Sequence, residues 1–541
     1  MEQLTGVTNT GLRYPHLGVT FIQTFTIPHT MLFDSQKAKT SLKEKSNIGD
    51  QIFVLPPQQQ EKVIDSYGLA TFDFEMDIRP KDNGRERKDK WADEIEERRL
   101  SGTVHVDMQL FFGNTVSVAY NFLFDGKRCR ISSLEPHETS GKDSYMTTDH
   151  LIILLSTWLG AEFWNGESIV YDVAIRLKNP ETGMLEKACA KDFFEKKAEE
   201  YKKTVLGLCN HKKGINKHES ESRDFRYAFV DIWEDLQHIG TDGLDSFDED
   251  HATESEIISH IREHHKEELV GLMTLYPEEW KYRSPEAYRD VCGEDIAIDT
   301  DDLVLAGSNV CLVFGTYGRR ADCSYGVDWK KHLETTRKEY GVSWPEYLLI
   351  MQMVLAKKQV LEYACDQLVE SMSNTRENND NNEIIKKNSH LSLRLTRKLL
   401  LLDVVKYARF PSHKVMYERT MKRFGISDEE ARLERLIDAV DSSFQNISAY
   451  ESMRSDSNLN LILGLISIVS AFELFFQNTD MPFLYSLFRM DYASNEKASA
   501  WVIVIAVAIA IYALLTFFVR ETVKIYKRLK WIYADKKSRN K

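Results

Sequence analysis

Apolar and polar positions alternate through the first 135 residues. Segments 18–27 (GVTFIQTFTI), 70–78 (ATFDFEMDI), 104–112 (VHVDMQLFF) and 115–124 (TVSVAYNFLF) alternate or are rich in β-branched and aromatic residues, which is the strand signature. The stretch 79–99 carries charges of both signs and reads as a solvated excursion between strands. A helix is predicted from near Thr148 through LIILLSTWLGAEFW. Its apolar run is too short for a bilayer and should pack on the sheet. A strand follows at 168–177, charged helical stretches run to about residue 290, and 302–315 (DLVLAGSNVCLVFG) reads as one or two buried strands. Residues 1–330 are thus expected to form an α+β (mixed α/β) domain.

Beyond residue 330 the period becomes helical. Ser343-Trp344-Pro345-Glu346 has the form of a capping box, with Ser343 at the N-cap, and opens a helix expected to end near Met372. Asn374–Asn388 is a polar, Asn-rich linker. A second helix is expected over Leu391–Arg409, stopping before Pro411, and a third from a capping box at Ser427–Glu430. Leu433, Leu436, Val440, Phe444 and Ile447 recur at the spacing of a helix–helix seam. Residues 331–457 therefore read as a helical stalk. Two apolar segments follow: 458–476 with one charge, Glu473, and 500–519 with none. A helix needs about 20 apolar residues to cross the hydrocarbon, so 458–519 is expected to be a hairpin of two C-terminal transmembrane helices. The N-terminal sequence MEQLTGVTNTGLRYP has no apolar core of a signal peptide.

Composition conceals this division. The 541 residues hold 70 Lys+Arg and 83 Asp+Glu, a formal net charge of −13, with 43% hydrophobic residues and a mean hydropathy of −0.39. Those averages exclude a mostly disordered chain, a many-span transporter and bulk nucleic-acid binding. Residues 1–457 carry −18, while the tail 520–541 carries nine Lys/Arg against two Asp/Glu. A basic flank stays cytoplasmic, so tail and body are both expected on the cytoplasmic side of the membrane. The tail then meets anionic lipid headgroups. The seven cysteines include no CxxC pair and fit reduced thiols.

Along the first apolar segment, Asn460, Gly464, Ser467, Ala471, Leu474 and Asn478 recur every three or four residues, on one helical line. Symmetry-related copies could turn that stripe to a central axis as a pore lining, with Leu474 as a constriction. Close helix packing is the other reading of the same small residues. In the body, Phe314-Gly315-Thr316-Tyr317-Gly318-Arg319-Arg320 follows a predicted strand. Glycines let backbone N–H groups approach an anion, Arg319 and Arg320 offer forked donors for phosphate, and Tyr317 or Tyr325 could stack on a base. An ordinary basic hairpin is the plainer alternative, since neither GxxxxGK nor GxGxxG is present. Arg128 and Arg130 share a strand face by period two and are a second phosphate candidate. The acidic run Asp242, Asp245, Asp248, Glu249 and Asp250 offers hard oxygens to a Mg²⁺ or other divalent cation, or is a solvated loop. His260 and His264 lie one helical turn apart beside Glu263 and His265, without HExxH. No enzyme signature stands out.

The order of parts (α/β body, long helix, two apolar segments joined by a short loop, basic tail) resembles the CorA family of two-span divalent-cation transporters. That family's signature is Gly-Met-Asn followed by Met-Pro. Here the place is taken by Phe476-Gln477-Asn478 and then Met481-Pro482, so only Asn478 and the Met-Pro match. The larger body is similar to the CRISPR-associated branch found beside type III systems. The resemblance implies a homo-oligomer, pentameric in the family, and a channel gated by a nucleotide second messenger. That messenger would be a cyclic oligoadenylate or an adenosylmethionine–AMP conjugate, and opening would disturb the membrane during phage infection. An ordinary divalent-cation transporter and a membrane-tethered enzyme acting on nucleotides are the alternatives.

Overall fold

The N-terminal alternation folds into one large sheet. The computed structural model describes residues 12–14, 17–28, 30–45, 52–53, 64–80, 98–111, 114–124, 130–131, 146–159, 171–178, 185–211, 224–233, 253–275, 284, 286–315, 329–374, 408–439 and 442. The chain divides into two units, Met1–Val440 and Asp441–Lys541, and all but residue 442 of these belong to the first. Its strands are β1 (Arg13–Tyr14), β2 (Leu17–Thr26), β3 (Met31–Phe33), β4 (Lys43–Glu44), β5 (Ile64–Pro80), β6 (Arg98–Phe111), β7 (Thr115–Phe124), β8 (Arg130–Ile131), β9 (Met146–Thr147), β10 (Tyr171–Lys178), β11 (Leu185–Cys189), β12 (Cys209–His211), β13 (Phe225–Trp233), β14 (Asp302–Ala306) and β15 (Val310–Gly315). Its helices are α1 (Ser35–Ser41), α2 (Thr148–Leu159), α3 (Ala190–Gly207), α4 (Glu254–His264), α5 (Lys266–Thr274), α6 (Ala287–Cys292), α7 (Trp329–Tyr340), α8 (Pro345–Asn374) and α9 (Pro411–Arg423). Residues 426–439 are also helical.

The main sheet runs β11-β10-β5-β6-β7-β2-β13-β15-β14, with β4 on β5 and β8 on β6. Neighbours are antiparallel except β13 and β15, which are parallel. A parallel pair needs a long crossover, and α4, α5, α6 and β14 lie between these two strands in sequence. The expected strands at 18–27, 70–78, 104–112, 115–124 and 168–177 fall within or overlap β2, β5, β6, β7 and β10. The 302–315 segment divides into β14 and β15. The pattern reading missed β13, a central strand placed among expected helices. Its sequence FRYAFVDIW is nearly continuous in apolar residues because both faces are buried, so it lacks the period-two signal.

The two faces differ in chemistry. On one, Leu17, Val19, Phe21 and Phe25 of β2 join the apolar core beneath α2 and α3. Trp158 of α2 stacks on Phe21 at 5.1 Å between centroids, and Phe194 of α3 meets Phe21 and Phe122 edge-on. Trp158 Nε1 donates to the Tyr227 carbonyl at 3.1 Å, so the indole is buried without losing its hydrogen bond. This is the packing expected of the LIILLSTWL segment. The network around Glu268 ties down the N-terminal ribbon. Glu268 accepts from the Leu12 backbone N at 2.8 Å and from Thr148 Oγ1 at 2.5 Å, lies 3.0 Å from His265 Nδ1, and Thr148 meets the Tyr14 hydroxyl at 2.9 Å.

The opposite face carries buried polar residues beside the apolar pair Ile22 and Ala119. Thr20, Thr24, Ser117 and Asn121 are all buried there. Helix α8 packs against β2 and β7, and Gln352 Nε2 of α8 donates to Ser117 Oγ at 3.1 Å. Lys357 Nζ of α8 pairs with Glu430 Oε1 at 2.6 Å, and the lysine is buried.

One expectation is corrected. No helix among the described residues is long and apolar enough to cross a membrane, and the described fold is a mixed α/β body built on a large sheet. The expected pair of C-terminal transmembrane helices is not part of it, and segments 458–476 and 500–519 lie outside the described residues. The capping boxes also shift. Pro345 is the first residue of α8, a position that suits its fixed φ and missing N–H, so Trp344 rather than Ser343 precedes the helix. The later helix begins at residue 426, directly after a turn at Gly425 with φ +64.

Candidate functional site

The short link between α7 and α8 is stitched across the polar face. Helix α7 ends where the Gly341 N–H donates to the Arg337 carbonyl at 2.8 Å. Gly341 has φ +80, and a Cβ there would lie 2.9 Å from Asn121 Cβ on β7. Left-handed backbone and close approach both demand glycine. Asn121 is itself fixed: it accepts from Thr20 Oγ1 at 2.8 Å and donates to Asp107 at 3.1 Å. Asp107 in turn meets Lys45 Nζ at 2.6 Å. Two residues on, the Ser343 backbone N donates to Asp231 Oδ2 of β13 at 2.7 Å. The Trp344 ring lies against Gly315 at the end of β15, where any side chain would overlap it. Finally the Tyr347 hydroxyl, in the first turn of α8, donates to Asp302 Oδ2 of β14 at 2.8 Å. Residues 341–347 therefore contact β7, β13, β15 and β14 in turn.

Two carboxylates anchor this link, and both are fully buried. Asp231 is pushed up to about 6, by burial first, opposed by the Arg337 charge and by Ser343. Arg337 is itself brought down to about 10, chiefly by burial. Asp302 is pushed up to about 7 by burial and by the like charges of Asp299 and Asp295, opposed by the Tyr347 hydrogen bond. The Oδ1 atom of each carboxyl has no hydrogen-bond partner. A buried ionised carboxylate with half its acceptors unused is costly. The site can therefore exchange a proton, and its Asp302 half can do so near neutrality.

The segment leading into Asp302 is held from below. Asp295 Oδ1 accepts from the Ala297 and Val304 N–H groups at 2.9 and 3.0 Å, while Asp295 Oδ2 pairs with Arg262 of α4 at 2.5 Å. Arg423 of α9 donates to the Ala306 carbonyl at 2.7 Å and to the Val291 carbonyl at 2.5 Å. Arg419 donates to the Ala297 carbonyl. Helix α9 thus grips the strand that carries Asp302.

Strands β13 and β15 end side by side, with Trp233 opposite Gly315. In sequence the acidic run Asp242, Asp245, Asp248, Glu249 and Asp250 follows β13, and Tyr317, Arg319, Arg320 and Tyr325 follow β15. Both groups lie outside the described residues, as do Arg128 and the stripe Asn460, Gly464, Ser467, Ala471, Leu474 and Asn478. Arg130 opens β8, in register with Arg99 of β6. His260 and His264 of α4 are neighbours, with ring centroids 4.5 Å apart. Among the described residues no group of three or more His, Cys, Asp or Glu is set to hold a metal ion. Sequence reasoning missed Asp231, Asp302, Arg337 and Tyr347. The available signal was a lone acid inside an apolar strand, in AFVDIW and at the head of DLVLA.

No protein-family model and no curated protein matches this chain. Among solved structures, the CorA magnesium transporter from Methanocaldococcus jannaschii is aligned over 57% of this chain and 93% of its own, at 13% identity and a TM-score of 0.19. A likeness at that TM-score carries neither fold nor function to this chain.

Proposed function

We propose that the chain is a membrane-associated ion-transport protein whose α/β body is its regulatory sensor. In this reading a small anionic nucleotide, a cyclic oligoadenylate or an adenosylmethionine–AMP conjugate, binds the loop bearing Tyr317, Arg319 and Arg320 and biases an ion path in a homo-oligomer. The antiviral role beside a type III CRISPR system and the bacterial inner-membrane location belong to the same proposal, as does the absence of enzymatic turnover. The observation that carries it is the stitched link. The strands after which the candidate loops come, β13 and β15, are the ones that hold the root of α8 through Asp231 and Trp344. A ligand that changes the end of either strand is felt by a 30-residue helix. Bilayer association is supported by the basic tail 520–541, whose charge suits anionic headgroups.

Ligand can shift gating only through unequal affinity for the two states. Loss of half-buried contacts at a strand end on one side of the equilibrium would supply that inequality. The test is ion flux from liposomes reconstituted with the purified full chain, with and without each nucleotide. Nucleotide-dependent flux that Arg319→Ala with Arg320→Ala weakens is the expected result. Flux that ignores nucleotide, or nucleotide turnover without flux, overturns the reading.

A further inference from the structure

We propose that Asp302 and Tyr347 form a proton-operated latch on the root of α8, closed when the Asp302 carboxyl is protonated and released when it ionises. The latch stands on geometry independent of the transport reading. Tyr347 is the third residue of α8 and reaches across to the first residue of β14. Asp302 is completely buried, accepts one hydrogen bond at Oδ2 and leaves Oδ1 without a partner. The like charges of Asp295 and Asp299 face it from the preceding segment, and Asp301 adjoins it. From α8 it meets the Tyr347 hydroxyl, and across β15 it is paired with Gly315, which carries no charge.

Ionisation therefore puts a negative charge beside Asp299 and the Arg262-paired Asp295, with one of its own oxygens unsolvated. Parting of β14 and the first turn of α8 would let water relieve it. The backbone offers a place for that parting: Gly341, in the left-handed region, ends α7 just before the link. Asp231, two strands away, behaves differently. Arg337 of α7 faces it, with Glu334 acting on that arginine, and the backbone N–H of Ser343 binds it in either protonation state. Asp231 keeps the link attached while Asp302 decides whether the first turn stays down.

Hydrogen exchange of the full chain over residues 348–350, the first amides of α8 with helical hydrogen-bond partners, tests the latch, after correction for the intrinsic pH dependence of exchange. With Asp302 near 7 in the closed state and an ordinary carboxylate value in the open one, the opening constant should rise about thirtyfold between about pH 5.5 and 8.5. Asp302→Asn, a neutral isostere, should keep the first turn protected at both pH values. Tyr347→Phe folds without a buried charge change and removes the contact that favours the ionised form. Its transition should move to higher pH. Equal protection at both pH values in the parent chain overturns the latch. So does an unchanged pH response in Asp302→Asn or, should that variant not fold, an unmoved transition in Tyr347→Phe.

Discussion

Arg423 offers a quantitative test of how the helices beyond α8 are joined to the site. Its guanidinium donates to the Ala306 carbonyl through Nε and to the Val291 carbonyl through a terminal nitrogen. Arg423→Met keeps the stem and removes both donors. Each orphaned carbonyl costs about 1–3 kcal/mol, and partial access to water places these two at the lower end. The expected loss is about 2–3 kcal/mol. Unfolding entropy near 2.1 cal/mol/K per residue, taken over a unit of this size, converts that to a fall in Tm of about 3 °C. Scanning calorimetry of the parent and variant reads it. Arg423→Lys should recover part of the loss, because one ammonium cannot span both carbonyls in a fixed fork. Lys422→Met, on an exposed neighbour, should leave Tm unchanged. Exchange should accelerate selectively over residues 291–306, the stretch the arginine closes. A Tm within about 0.5 °C of the parent, with that stretch still protected, would refute the clamp.

Three further outcomes follow from the same contacts. Trp158→Ala removes a fully buried indole stacked on Phe21, and should cost about 3–5 kcal/mol in denaturant unfolding. Gly341→Val places a branched side chain at φ +80 against Asn121, and should lower stability by more than about 2 kcal/mol and raise exchange at the start of α8. For pH, the folded-state values of Asp231 and Asp302 lie at about 6 and about 7, above the ordinary 3.8. The folded state therefore binds more protons than the unfolded one, and stability falls as pH rises from about 4 through about 7. Asp302 alone supplies about 4 kcal/mol of that fall, and Asp302→Asn should flatten most of it in urea melts.

How far the sequence could be read depended on which segments kept a local pattern, since β2 and β7 are buried along nearly their whole length yet were legible. Strand β7 was legible from TVSVAYNFLF because the run is short, apolar and β-branched. Helix α2 was legible because its length and apolar content left only a buried helix. Strand β13 was lost because burial on both sides erased its alternation. The link 341–347 was read as a capping signal, since Ser-x-x-Glu is a local pattern. Asp231, more than a hundred residues away, claims the Ser343 N–H instead, and no local pattern reports a contact at that separation. The same holds for Asp302 and Tyr347. Each looks ordinary alone, and the pair exists only because β14 and α8 meet in space. The expected pore stripe and phosphate-binding loop, by contrast, rest on chemistry at positions outside the described residues, and the structure bears on the loop only through β15, which precedes it.

The asymmetry of the sheet indicates which side of the body can move. On the apolar face, Trp158, Phe21, Phe122 and Phe194 interlock. Separating those helices would expose large aromatic surface at about 25 cal/mol per Å². On the polar face, α8 is held at its root by discrete hydrogen bonds to Asp231, Asp302 and Ser117. Water can replace such bonds, so each contributes only about 0.5–1.5 kcal/mol net. Thr24, Thr115 and the Gln352 carbonyl oxygen are buried there with no hydrogen bond, which lowers the cost of opening further because hydration would satisfy them. Opening at the root of α8 exchanges weak or missing bonds for water, whereas lifting the whole helix would also expose the buried side chains of Met353, Val354, Leu355 and Leu361. A signal arriving at β13, β14 or β15 should therefore be expressed at the root of α8 and not as loosening of α2 or α3. Exchange measured on both sets of helices in one experiment should show the first without the second.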